Sequence, residues 1–115
     1  VFLGSAAGTH GLVVAPIEYV RRLVEAGERP ALVDLRPASE YRSGRLPGAR
    51  SMPLPELDRR YDELPRGQLV VLYCACSRVE LEGALRLLWS RGYENTSVML
   101  EGFGEWLSRG YPVER

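Results

Sequence analysis

The stretch Leu69–Trp89, "LVVLYCACSRVELEGALRLLW", decides the fold. Leu69 to Cys74 is an apolar, β-branched run introduced by the turn residues "PRGQ", and it predicts a central strand of a parallel sheet. From Leu81 the apolar residues fall at 81, 84, 85 and 88, which is one face of a helix, and "RGYEN" after Trp89 closes it. Between the two lie Ser77 and Glu80, spaced as the Ser-x-x-Glu capping box in which each side chain takes the other's backbone N–H. The helix is therefore expected to begin with Arg78 in its first turn.

Upstream, Pro16 sits at an expected first helical position, and Ile17, Val20 and Val24 keep helical spacing until Gly27. "ALVDLR", Ala31 to Arg36, is short, apolar up to Asp34 and followed by Pro37, which predicts a buried strand. "PASEYRSG" reads as one or two helical turns. Prolines at 47, 53 and 55 predict a loop, with at most a short strand around Ala49 to Met52 and a short helix within Leu54 to Leu64. "TSVML" is the last expected strand and "FGEWLSRG" the last helix, with Phe103 and Trp106 three residues apart and assigned to the core.

Alternating strands and helices predict an α/β domain with a mainly parallel sheet covered on both faces. At 115 residues the chain suits one domain, assigned to 12–115, with 1–11 as a poorly ordered N-terminal extension. Hydrophobic residues at 45% and charged residues at 26%, without a membrane-length apolar run, point to neither disorder nor a membrane protein. Fifteen basic residues balance fifteen acidic ones, so total charge favours no nucleic-acid or acidic-surface partner. The opening "VFLGSAAGTH" lacks an initiator Met and is too short, without a basic flank, for a signal peptide. A cytoplasmic location is expected, or a periplasmic one if this is a processed end.

Sites in parallel α/β sheets collect at the carboxyl ends of strands, and Cys74 lies at such an end. A strand-to-helix turn aims backbone N–H groups inward and adds the helix dipole, and both favour thiolate over thiol. The alternative is a small buried hydrophobe. Cys76 is a resolving thiol, a second ligand or a turn residue. The pair is poorly placed for an unstrained bridge, so free thiols or a labile redox pair are expected. With His10 the only histidine, no metal site is assigned. Arg78 either holds an anion or is solvated. Glu80 and Glu82 suit the helix dipole but oppose an incoming dianion, which disfavours phosphatase chemistry.

"LVDLRPASEYRSGRLPGARSMP" (32–53), "VVLYC" (70–74) and "EGFGEWLSRGYPVE" (101–114) together resemble the single-domain rhodanese (sulfurtransferase) family in order and spacing, from about Val13 to Glu114. The resemblance implies the rhodanese-like three-layer fold and transfer of a sulfane sulfur through a persulfide on Cys74, the catalytic nucleophile. Ala75, Cys76, Ser77, Arg78 and Val79 would form the substrate-binding loop, with Asp34 and Arg36 accessory or a structural ion pair. The donor would be a small sulfur anion such as thiosulfate, or a persulfide, and the acceptor a thiol, a protein thiol included, with no cofactor required. Departures from the family pattern are Arg45 in place of His, Glu101 in place of the first of two glycines, Ala75 in place of Arg or Lys, and no glycine before the helix. The alternative function is a non-catalytic rhodanese-fold module that binds a partner or senses redox state.

Overall fold

The computed structural model describes residues 13–28 and 30–115; the expected extension at 1–11 lies outside the described residues. Four strands form one sheet: β1 (Ala31–Asp34), β2 (Arg50–Ser51), β3 (Val70–Tyr73) and β4 (Thr96–Val98). Their order is β2-β1-β3-β4 and every pairing is parallel, so the expectation of a mainly parallel sheet is met in full. The register sets Val33 beside Leu72 and Asp34 beside Tyr73.

Alternation along the central strands sends side chains to two cores. Val33, Leu35, Val70 and Leu72 pack with Leu57 of helix α3 (Leu57–Arg60) and with Leu81, Leu85 and Leu88 of α4 (Arg78–Ser90). Leu32, Val71 and Tyr73 pack on the other face with Ile17 and Val20 of α1 (Ile17–Glu25) and Trp106 of α5 (Gly102–Ser108). Both faces of the sheet are thus covered, as expected from strands apolar on both sides. Each fully buried aliphatic side chain contributes about 1.5–3 kcal/mol before entropy is counted.

Element ends follow local chemistry. Pro16, expected as the first helical residue, is the N-cap of α1, so the helix begins one residue later, and Gly27 beyond it takes φ +78°. Helix α2 (Ala38–Ser43) is the short turn foreseen after Pro37. The proline-rich segment holds two single 3-10 turns flanking α3. Trp106 is fully buried and its indole N–H donates to the Pro112 carbonyl at 2.6 Å. Phe103, assigned to the core from sequence, is only half-buried, because it carries the Arg36 guanidinium 4.3 Å above its ring.

Candidate active site

After β1 the chain moves outward to β2, and after β3 it moves the opposite way to β4. The carboxyl ends of β1 and β3 therefore flank the point where strand order reverses, the usual place for a ligand in an open parallel sheet. A cleft of about 430 Å³ opens there. Leu35 and Arg36, just past β1, form one side and Cys74, Ala75 and Cys76, just past β3, the other. Pro53, Leu54 and Pro55 complete it, tethered to β1 because the Met52 and Leu54 N–H groups donate to Asp34 and Leu35 carbonyls, each at 3.0 Å.

Cys74 is half-buried between strand and helix. Its sulfur is bonded to that of Cys76, so neither cysteine is a free thiol in this state. The chain turns tightly enough to bring the two Cα atoms to 5.2 Å, inside the usual disulfide range of about 4.4–6.8 Å. Of the two sequence readings, free thiols or a redox pair, the paired form is the one present.

The capping box is present as read from sequence. Ser77 Oγ accepts the Glu80 N–H at 3.1 Å and the Glu80 carboxylate accepts the Ser77 N–H at 2.9 Å. The N–H groups of Ala75, Cys76, Arg78 and Val79 donate to no described residue. The loop's backbone donors are thus available beside the sulfurs at the positive end of a 13-residue helix.

Of the five expected substrate-binding loop residues, Ala75 and Cys76 line the cleft; Ser77, Arg78 and Val79 do not. The Arg78 side chain is 68% exposed and reaches back to Glu82 at 3.4 Å. Val79 is 77% exposed. The structure therefore turns both outward, and the hydroxyl of Ser77 is occupied as a cap.

Asp34 and Arg36 form a buried ion pair. Arg36 Nη2 lies 2.6 Å from Asp34 Oδ2, and Arg36 Nε and its backbone N–H each donate to Asp34 Oδ1 at 2.9 Å. Nη2 also donates to the Gly44 carbonyl at 2.7 Å. Burial opposes the Arg36 charge, but the hydrogen bonds and charge of Asp34 outweigh it and hold the guanidinium pKa above its ordinary value. Tyr73, fully buried, donates from Oη to Asp34 Oδ2 at 2.8 Å and accepts the Leu46 N–H at 3.2 Å. Burial, then the charge of Asp34, pushes the Tyr73 phenol well above its usual range. Arg45, in the place of the family's histidine, stacks 4.6 Å from the Tyr41 ring and reaches Glu114 at 3.4 Å.

Sequence reasoning missed the far wall, Leu35, Pro37, Pro53, Leu54 and Pro55, and Glu40; of the two glutamates it set against an incoming dianion, Glu80 lines the cleft and Glu82 does not. The Pro-x-Pro signal at 53 and 55 marked a loop, but its meeting with Cys74 depends on strand order. Gly102 was also missed. It takes φ +76°, and a Cβ there would stand 3.0 Å from the Cys74 carbonyl oxygen, so α5 begins pressed against the cysteine turn.

The fold and cleft define a parallel α/β domain organised around a cysteine at the carboxyl end of a central strand. The chain belongs to the rhodanese-like domain family, whose model matches residues 17–109. It is 39% identical over 98 residues to the HTH-type transcriptional regulator Rv0324 of Mycobacterium tuberculosis, covering 84% of this chain and 42% of that protein. It is 29% identical over 82 residues to a sulfurtransferase of Allochromatium vinosum, covering 71% of this chain and 76% of that one. With the putative sulfur carrier protein YrkF of Bacillus subtilis it shares 25% identity over 93 residues, covering 81% of this chain and 50% of YrkF. The chain thus spans half or less of the length of two of these relatives. Among solved structures, the Alr3790 protein of Anabaena superposes with a TM-score of 0.76 at 29% identity, covering 87% of this chain and 90% of that one.

Proposed function

We propose that this domain is a sulfurtransferase module that accepts a sulfane sulfur on Cys74 as a persulfide and delivers it to a thiophilic acceptor. The observation that carries the reading is the position of Cys74: it faces the cleft at the reversal of strand order, with open backbone donors beside it. A thiolate there attacks the outer sulfur of a donor, and the same donors favour the negative persulfide that results. The sulfur-carrier and sulfurtransferase names of two relatives support the same class of chemistry. The test begins with reduced protein, incubated with thiosulfate and, separately, with glutathione persulfide, then weighed intact. One added sulfur is expected on Cys76→Ser, where Cys74 is the sole cysteine, and none on Cys74→Ser. Absence of any adduct in Cys76→Ser with either donor would overturn the proposal.

The bonded cysteine pair favours a second reading, a redox-sensing module. One relative bears the name of a transcriptional regulator, which is consistent with a sensing role. In that case the reduced Cys74 thiol keeps an ordinary pKa. A strongly lowered value, read from the pH dependence of iodoacetamide alkylation in Cys76→Ser, would count against it.

A further inference from the structure

The sulfurtransferase reading leaves one feature unused, the second sulfur. Cys76 lines the same cleft as Cys74 and is bonded to it. Both ends of the turn are fixed. On the strand side, the Met99 N–H donates to the Leu72 carbonyl and the Leu35 N–H to the Tyr73 carbonyl, each at 2.9 Å. On the helix side, the capping box holds Ser77. Only Ala75 separates the cysteines, so reduction leaves Cys76 within reach of Cys74 without rearrangement of the core.

We propose that Cys76 is a catalytic residue that resolves the Cys74 persulfide internally, making the domain a sulfide-releasing persulfide reductase. This rests on the persulfide reading above. In the step, the Cys76 thiolate attacks the inner sulfur of Cys74–S–SH. A bond forms between the two Sγ atoms, the bond from Cys74 Sγ to the outer sulfur breaks, and its electron pair leaves with that sulfur as HS⁻. The sulfane sulfur is the oxidant and gains two electrons; the two cysteines are oxidised to the disulfide that the structure holds. No other oxidant is needed. A dithiol reductant then returns both cysteines to thiols and becomes a disulfide itself.

Tethering also sets the competition with outside acceptors. A group held by so short a linker acts at an effective concentration of about millimolar or more, so an external thiol below that level loses to Cys76. The end of α4 favours the thiolate form of both cysteines, which speeds attack and steadies the departing negative charge.

The test uses reduced, desalted protein under anaerobic conditions, a single addition of thiosulfate or of glutathione persulfide, and parallel measurement of sulfide and intact mass. Wild type should release one equivalent of sulfide per chain and end two hydrogens lighter than the reduced protein, with no sulfur retained. Cys76→Ser and Cys76→Ala should keep one added sulfur and release none. Wild type that retains the added sulfur without releasing sulfide would overturn the inference and leave the sulfurtransferase reading standing. If the two Cys76 variants, folded by circular dichroism, take up no sulfur from either donor, the persulfide reading falls and this inference with it.

Discussion

The hydroxyl of Tyr73 links the strand that delivers Cys74 to the ion pair under the cleft wall, and Tyr73→Phe removes that link alone. The ring stays in its buried cluster, but two hydrogen bonds are lost: the 2.8 Å donation to Asp34 and the 3.2 Å acceptance from the Leu46 N–H. A hydrogen bond to a charged acceptor contributes about 1.5–3 kcal/mol, and a buried N–H left without a partner costs about 1–3. The hydroxyl no longer has to be desolvated, so the net expectation is about 2–4 kcal/mol. For a chain of 115 residues, near 4 °C per kcal/mol, the melting temperature should fall by about 8–16 °C. Thermal unfolding followed by far-ultraviolet circular dichroism measures it. The sign with pH is also fixed. The folded pKa of Tyr73 is raised above the ordinary value of 10.0, so its contribution is full below about pH 10 and is lost as pH rises beyond it. The gap between wild type and Tyr73→Phe should therefore narrow above pH 10. A shift under about 3 °C at neutral pH, below 1 kcal/mol on this scale, would refute the assignment of Tyr73 as a structural partner of Asp34.

Gly102→Ala should cost about 1–2 kcal/mol for the left-handed backbone and slow sulfur uptake, because the new Cβ meets the Cys74 carbonyl at 3.0 Å. Gly104→Ala on the same helix, with nothing within 4 Å, is the control and should be neutral or stabilising in the same melts. Glu80→Gln keeps the cap's acceptor oxygen and removes a carboxylate from the cleft; thiosulfate loading should rise about two- to tenfold at low ionic strength. That gain should shrink with added salt, and an unchanged loading rate would refute the acidic-cleft argument. Three carboxylates are held below the ordinary value of 4.5: Glu18 by the Tyr111 hydroxyl and then Arg21, Glu63 by Arg60, and Glu114 by the Gly48 N–H. Their contribution is present above that value and lost as pH falls through it, so stability should decline below about pH 4.5; Glu114→Gln should flatten part of the slope in acid titration.

How far the sequence could be read depended on the range of the interaction. The strand at 69–74 and the helix after it were legible because burial and helical periodicity are written in consecutive residues. The capping box was legible because Ser77 and Glu80 satisfy each other's backbone within one turn. Arg78 was placed correctly in the first turn, but whether it faces the cleft depends on its partner, and Glu82 on the same helix draws it away. The far wall was not legible, since Pro53 to Pro55 reach Cys74 only because β2 pairs beside β1 and its loop returns across the strand ends. Phe103 packs against the same core as Trp106 but stays half-buried, with the Arg36 guanidinium 4.3 Å over its ring, a contact that apolar spacing could not show. Residue spacing left free thiols and a labile redox pair both open, because the choice depends on how tightly the chain turns between strand end and N-cap, and that turn brings the two Cα atoms to 5.2 Å.

The charges at the cleft bear on the donor. Among the described residues Arg36 is the one basic residue that lines it, and Asp34 and the Gly44 carbonyl already engage Nε and Nη2 of its guanidinium. With that pair electrically balanced, the carboxylates of Glu40 and Glu80 remain, so the field from side chains at the mouth is acidic. The positive potential at Cys74 then comes from backbone amides and the end of α4, a source that acts at short range and fades within a turn. Such an arrangement steadies a negative sulfur once bound more than it draws a dianion from solution. If Cys74 accepts sulfur as proposed, this balance and the apolar wall of Leu35, Leu54 and three prolines predict that a weakly charged organic persulfide loads it faster than thiosulfate, and equal or faster loading by thiosulfate in Cys76→Ser would refute the argument.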